Sequence, residues 1–84
     1  MNYSTIDKAI GRSIREARES QGIRLTKLAN DLGIAKQTLS YYETGQRSIP
    51  EEIFSRSCKV LKLNPHKILK EAVKQFVEEK KDSN

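Results

Sequence analysis

The chain has 84 residues, 36% hydrophobic and 32% charged, with a formal net charge of +5; that length makes one domain with a modest core. Its single cysteine, Cys58, excludes an intrachain disulfide, and no apolar run reaches the length of a membrane span or resembles a signal peptide, so an intracellular, soluble protein is expected. Residues 1–69 carry 12 lysines and arginines against 7 acids, whereas residues 70–84 carry four of each; the excess fits a polyanion partner and equally fits lysines that keep a small domain soluble.

Met1 to Tyr3 reads as a short lead-in. Ser4 is placed to cap a first helix, with Asp7 three residues on to reach back to it; the helix runs to about Ser20, and Gly22 ends it. Ile6, Ile10, Ile14 and Ala17 recur at helical spacing as its inner stripe, while Lys8, Arg12, Arg15, Glu16 and Glu19 face out or sideways. The second helix covers Leu25 to Leu32, with Leu25, Leu28, Ala29 and Leu32 on one face and Asn30 and Asp31 exposed. Gly33 stands where the chain must turn sharply through a positive φ.

The third helix covers Lys36 to Thr44. Leu39 and Tyr42 follow Ile34 toward the core, whereas Lys36, Gln37, Thr38, Ser40, Tyr41 and Thr44 form an outer face rich in hydrogen-bonding groups and free of acids. Lys36 and Gln37 open that face at the helix N-terminus. A glutamine matches the N6 and N7 edge of adenine, and a lysine donates to guanine O6 and N7. Gly45 supplies a left-handed stop. The loop behind it, with Gln46, Arg47 and Ser48, suits phosphate oxygens, Arg47 foremost.

Pro50 fits the first turn of a fourth helix, and Glu51 and Glu52 favour its positive end. Ile53, Phe54, Cys58 and Leu61 supply the inner face, with Cys58 expected as a small buried hydrophobe. Ser55 and Ser57 leave this helix less fully packed or set against something polar. Leu63 bridges a short turn. Asn64-Pro65 reads as a cap followed by proline at the first helical position, opening a last helix that runs to about Lys80 and leaves Asp82–Asn84 as a tail. His66 stands alone, with no ligand cluster around it. Ile68 and Leu69 are expected to close the core. Ala72, Val73, Phe76 and Val77 continue the apolar pattern and need a covering. Two are open: the same helix of a second copy, or the first helix of the same chain.

Gly22, Leu28-Ala29, Leu32-Gly33-Ile34, Thr38-Leu39-Ser40, Glu43, Gly45 and Pro50, with their flanks from roughly Ile6 to Leu69, give the chain its family likeness. The stretch resembles the helix-turn-helix domain of the phage-repressor and Cro-like family (XRE-type, lambda-repressor-like). The resemblance implies an all-α, five-helix lambda-repressor-like DNA-binding domain over residues 1–69. Residues 70–84, beyond where such a domain normally stops, are expected to form a C-terminal helix extension that, if a second copy covers its stripe, dimerises through Ala72, Val73, Phe76 and Val77. Helix 36–44 would enter a major groove. Its base contacts are Lys36, Gln37, Ser40 and Tyr41; its phosphate contacts, with the loop, are Thr38, Thr44, Gln46, Arg47 and Ser48. By the same resemblance, Arg18 pairs with Glu43 as scaffold; two ordinary exposed charges are the alternative. The sequence also departs from the family. Arg24 and Ala35 replace the usual helix-capping residues, so packing rather than capping must hold the motif. Leu25 replaces a phosphate-touching glutamine, a contact either lost or taken over by Arg24 or Lys27.

No Ser–His–acid set, Gly-rich phosphate loop or metal-ligand spacing occurs. The expectation is therefore no enzyme, with no catalytic residue, metal or cofactor. The leading functional expectation is a sequence-specific regulator of transcription, a repressor that binds a roughly palindromic double-stranded DNA operator as a homodimer. Its half-sites would lie about one helical turn, ~34 Å, apart. By resemblance its setting is the bacterial cytoplasm, encoded by the bacterium, a phage or a mobile element and associated with the nucleoid when bound. The alternative is an antitoxin or adaptor whose helix-turn-helix domain and C-terminal helix bind a protein partner such as a toxin or antagonist. A third class, general nucleoid coating, would bind DNA without sequence choice.

Overall fold

The computed structural model describes residues 4–82, folded as five helices: α1 (Thr5–Ser20), α2 (Leu25–Leu32), α3 (Lys36–Thr44), α4 (Glu51–Leu61) and α5 (Pro65–Asp82). No strand occurs among the described residues. The lead-in Met1–Tyr3 and the tail residues Ser83 and Asn84 lie outside them. Asp82, expected in the tail, is the last residue of α5. α1 is the hub and lies against α3, α4 and α5, while α2 is held by α3 and α4. Ile14, Leu28, Leu32, Leu39 and Leu61 interlock at the centre, each with at most 1% of its surface exposed. Burying a side chain of that size contributes about 1.5–3 kcal/mol. Cys58 joins them as a free, buried thiol whose pKa burial pushes up.

The helix ends show how packing replaces capping. Ser4 caps α1, its Oγ accepting the Asp7 N–H at 3.4 Å. The Asp7 carboxylate turns away and accepts a bond from Ser48 Oγ, 2.7 Å off, so it docks the α3–α4 loop onto α1. α2 and α3 start at Arg24 and Ala35 with no side-chain cap. Their other ends are better held. Gly33 turns the chain at φ 69°, and the Ile34 N–H returns to the Ala29 carbonyl. The Arg56 guanidinium reaches from α4 to the Leu32 carbonyl at 2.9 Å. The Gln21 amide does the same for α4, donating to the Leu61 carbonyl at 2.8 Å.

Three expectations about the later helices are corrected. Ser57 does not loosen α4: it is fully buried, and its hydroxyl donates to the Ile53 carbonyl at 2.7 Å. α5 runs unbroken through residues 69 and 70 and folds back along α1, tied at its far end where Thr5 Oγ1 donates to Glu79 Oε2 at 2.6 Å. At about 100° per residue, this packing turns Ile68 and Ala72 into the core. Ala72, expected in a dimer contact, is 1% exposed and belongs to the interior of its own chain. Leu69, expected in the core, is 41% exposed and begins a bare stripe with Val73 (50%) and Val77 (55%). Phe76 is half-buried at its edge.

Candidate nucleic-acid interface

α3 is set in place by α1. Gly11, in the middle of α1, lies where the two backbones meet. A Cβ there would stand 2.6 Å from the Glu43 carbonyl oxygen and also overlap that of Tyr42. Glycine inside a helix costs about 1 kcal/mol relative to alanine, a cost this close crossing offsets. Gly45 closes the other side of the contact. It ends α3 at φ 79°, and a Cβ there would meet the Lys8 backbone at 2.7 Å. Sequence reasoning missed Gly11; its signal was a glycine flanked by the inner-face residues Ile10 and Ile14, which calls for a packing reason.

An ion pair near the end of α1 also holds α3. Arg18 Nε and one terminal nitrogen donate to the two carboxylate oxygens of Glu43 at 2.8 and 3.0 Å. The remaining terminal nitrogen donates to the Ile23 carbonyl at 2.8 Å, on the loop entering α2. The two side chains are 10% and 4% exposed. The hydrogen bond to Glu43 raises the Arg18 pKa above its ordinary value, while burial acts in the opposite direction. Such a pair adds little net stability against an apolar replacement, but removing one partner strands a buried charge. One guanidinium thus joins α1, the α1–α2 loop and the end of α3.

With Leu39 and Glu43 turned inward, the opposite side of α3 faces solvent. Lys36, Gln37 and Thr44 are exposed, and Thr38, Ser40 and Tyr41 are half-exposed. Glu43 is the only acid between residues 36 and 48, and Arg18 neutralises it. Gln37 Nε2 donates to the Tyr41 hydroxyl at 2.8 Å. The Arg47 guanidinium lies over the Tyr41 ring, 4.6 Å from its centroid. The Thr44 hydroxyl donates back to the Ser40 carbonyl at 3.1 Å and accepts from the Gln46 amide at 2.8 Å. Base and phosphate candidates therefore sit together on one surface, with two qualifications. The Ser48 hydroxyl spends its proton on Asp7, which brings a carboxylate to the edge of the loop. Lys27, weighed as a substitute phosphate contact, is paired with Asp31 at 2.9 Å, while Arg24 is exposed. His66 is exposed, and no cluster of metal-ligating side chains exists among the described residues. No helix of the described residues is long and apolar enough to cross a membrane.

A profile of the Helix-turn-helix family matches residues 14–68. No curated protein sequence matches the chain significantly. Among solved structures, the clp gene regulator ClgR from Corynebacterium glutamicum superposes with a TM-score of 0.78 at 23% identity, over 93% of this chain and 83% of that one. A second ClgR structure gives 0.73 at 26% identity, over 81% of this chain and 88% of that one. The master regulator for biofilm formation SinR, solved in complex with DNA, gives 0.64 at 31% identity, over 71% of this chain and 97% of that one.

Proposed function

The chain belongs to the XRE-type, lambda-repressor-like helix-turn-helix family of DNA-binding transcriptional regulators, and we propose that it is a sequence-specific repressor that binds a roughly palindromic operator as a homodimer. The observation that carries this reading is the outer face of α3: a polar, acid-free surface on a helix whose inner side is locked to α1. Such a helix fits the major groove, where base pairs present distinct donor and acceptor patterns. Lys36, Gln37, Ser40 and Tyr41 line the groove side. Thr38, Gln46 and Arg47 meet phosphates, with Thr44 holding Gln46 in place. SinR, a regulator of this fold, has been solved on DNA, which supports double-stranded DNA as the partner. The relatives are regulators, and the chain acts by occupying promoter DNA rather than by chemistry.

Dimerisation rests on the stripe Leu69, Val73 and Val77, spaced four apart on α5 and bare in the single chain. A symmetric pair of copies is the commonest covering for such a face. It would set two α3 helices to read half-sites about one turn, ~34 Å, apart. Selection of duplexes from a random pool, with sedimentation of the pure protein, tests both parts. A dimer that enriches an inverted repeat of that spacing supports the reading, and a pool left random sinks it. The stripe also suits the antitoxin or adaptor reading. A monomer without duplex preference that captures a protein through Val73 and Val77 would favour that alternative.

A further inference from the structure

Tyr41 joins the two halves of the α3 surface. Its phenol oxygen accepts from Gln37 Nε2 at 2.8 Å, and its ring carries the Arg47 guanidinium at 4.6 Å. Its carbonyl receives the backbone N–H groups of Gln46 and Arg47, at 2.9 and 3.3 Å. One residue therefore ties the glutamine a turn earlier on the helix to the arginine of the loop that follows.

The bond to Gln37 has a chemical consequence. A glutamine amide turns easily about its last torsion, and a free one can offer its groups to a base in either order. Its nitrogen carries two hydrogens and its oxygen accepts. With Nε2 directed at the phenol, one hydrogen is spent. The amide then presents its second N–H beside Oε1, a donor and an acceptor together. That pair matches adenine, whose N7 accepts and whose N6 amino group donates. It mismatches guanine, whose O6 and N7 both accept. We propose that Tyr41 is a positioning residue that fixes the Gln37 amide so that it selects adenine, and that its phenol reads no base itself. The stacked Arg47 keeps the loop's cation beside the same turn of α3, so phosphate contact and base reading share one register.

The inference rests on the proposal that α3 reads a major groove, and the test separates the two. Duplexes are selected from a random pool with the wild-type chain, Gln37→Ala and Tyr41→Phe, and circular dichroism melting confirms that each is folded. The wild type should enrich adenine at one pair of each half-site, and Gln37→Ala should erase that preference. Tyr41→Phe should weaken it at the same pair by about fivefold or more, the low end of what a bidentate base contact discriminates. No enrichment by the wild type sinks the DNA reading and this inference with it. Enrichment that Tyr41→Phe leaves intact sinks this inference alone. A wild-type choice of guanine at that pair overturns it, because guanine needs the amide turned the other way. Loss at a different pair also overturns it, since the phenol would then be reading a base of its own.

Discussion

On its inner side α3 presents Leu39, with no exposed surface, and Glu43, chelated by Arg18. On its outer side it presents Lys36 and Gln37, both exposed, and Ser40 and Tyr41, both half-exposed, with Gln37 bonded to the Tyr41 hydroxyl and Arg47 stacked on the Tyr41 ring. On the inner side an atom added at Gly11 would meet backbone, and losing the Glu43 charge alone would strand the Arg18 guanidinium. The outer side can change side chains without disturbing the core. That division lets one scaffold hold a helix at a fixed angle while the side chains proposed to read DNA can be exchanged. It also predicts that damage to the two sides appears in different measurements: inner-side changes in stability, outer-side changes in binding.

The largest expected effect is Glu43→Ala. It leaves the Arg18 guanidinium buried without its carboxylate and should cost about 3–5 kcal/mol of folding stability in a denaturant titration. Arg18→Met combined with Glu43→Leu removes both charges and should recover most of that loss, because an apolar pair of similar volume is often neutral. If the double variant is no better than the single one, the bond from Arg18 to the Ile23 carbonyl matters more than the ion pair. Gly11→Ala comes next. Its Cβ would press on the backbone of Tyr42 and Glu43 rather than on a movable side chain, so about 3 kcal/mol is expected, at the upper end of overpacking costs. Thermal melting checks it, and an unchanged midpoint would show that α1 can shift away from α3.

Changes on the outer side should leave melting within about 0.5 kcal/mol and appear only with DNA. Gln37→Ala should cost about 1–3 kcal/mol of preference for operator over random duplex. Arg47→Ala should instead weaken operator and random duplex alike and lower the slope of log affinity against log salt by about one unit. Equal behaviour of the two variants would erase the distinction between reading and anchoring residues.

The inner side was the more legible of the two in the sequence. Apolar residues three and four apart marked every helix, and Gly33 and Gly45 marked two of the turns, because periodicity and positive φ are local properties. Gly11 and the carbonyl contacts of Gln21 and Arg56 were not legible, since each depends on which distant backbone lies opposite. The same limit explains α5. Its apolar residues showed that a covering was needed but not which one. Only the angle at which α5 meets α1 decides that Ala72 goes inward while Leu69 joins Val73 and Val77 outside. On the outer side the residue types were readable as donors and acceptors. The bonds among Gln37, Tyr41 and Arg47 were not, because spacing alone cannot say which exposed groups satisfy each other.

The smallest effect expected concerns Asp7, where the two sides touch. Its carboxylate docks the α3–α4 loop through Ser48 and places a negative charge beside the loop proposed to meet phosphate. Asp7→Asn keeps a hydrogen-bonding oxygen for Ser48 and removes the charge. Two unit charges about 7 Å apart in water repel by about 0.6 kcal/mol, so the variant should bind duplex about threefold more tightly in low salt. The gain should fade as salt rises and the repulsion is screened. Stability should move the other way by about 0.3–1 kcal/mol, because an acid in the first turn of α1 favours the helix dipole. A variant that binds more weakly in low salt would mean that the charged carboxylate is needed to hold Ser48 and its loop against the duplex, and the boundary between scaffold and interface would then run through Asp7 itself.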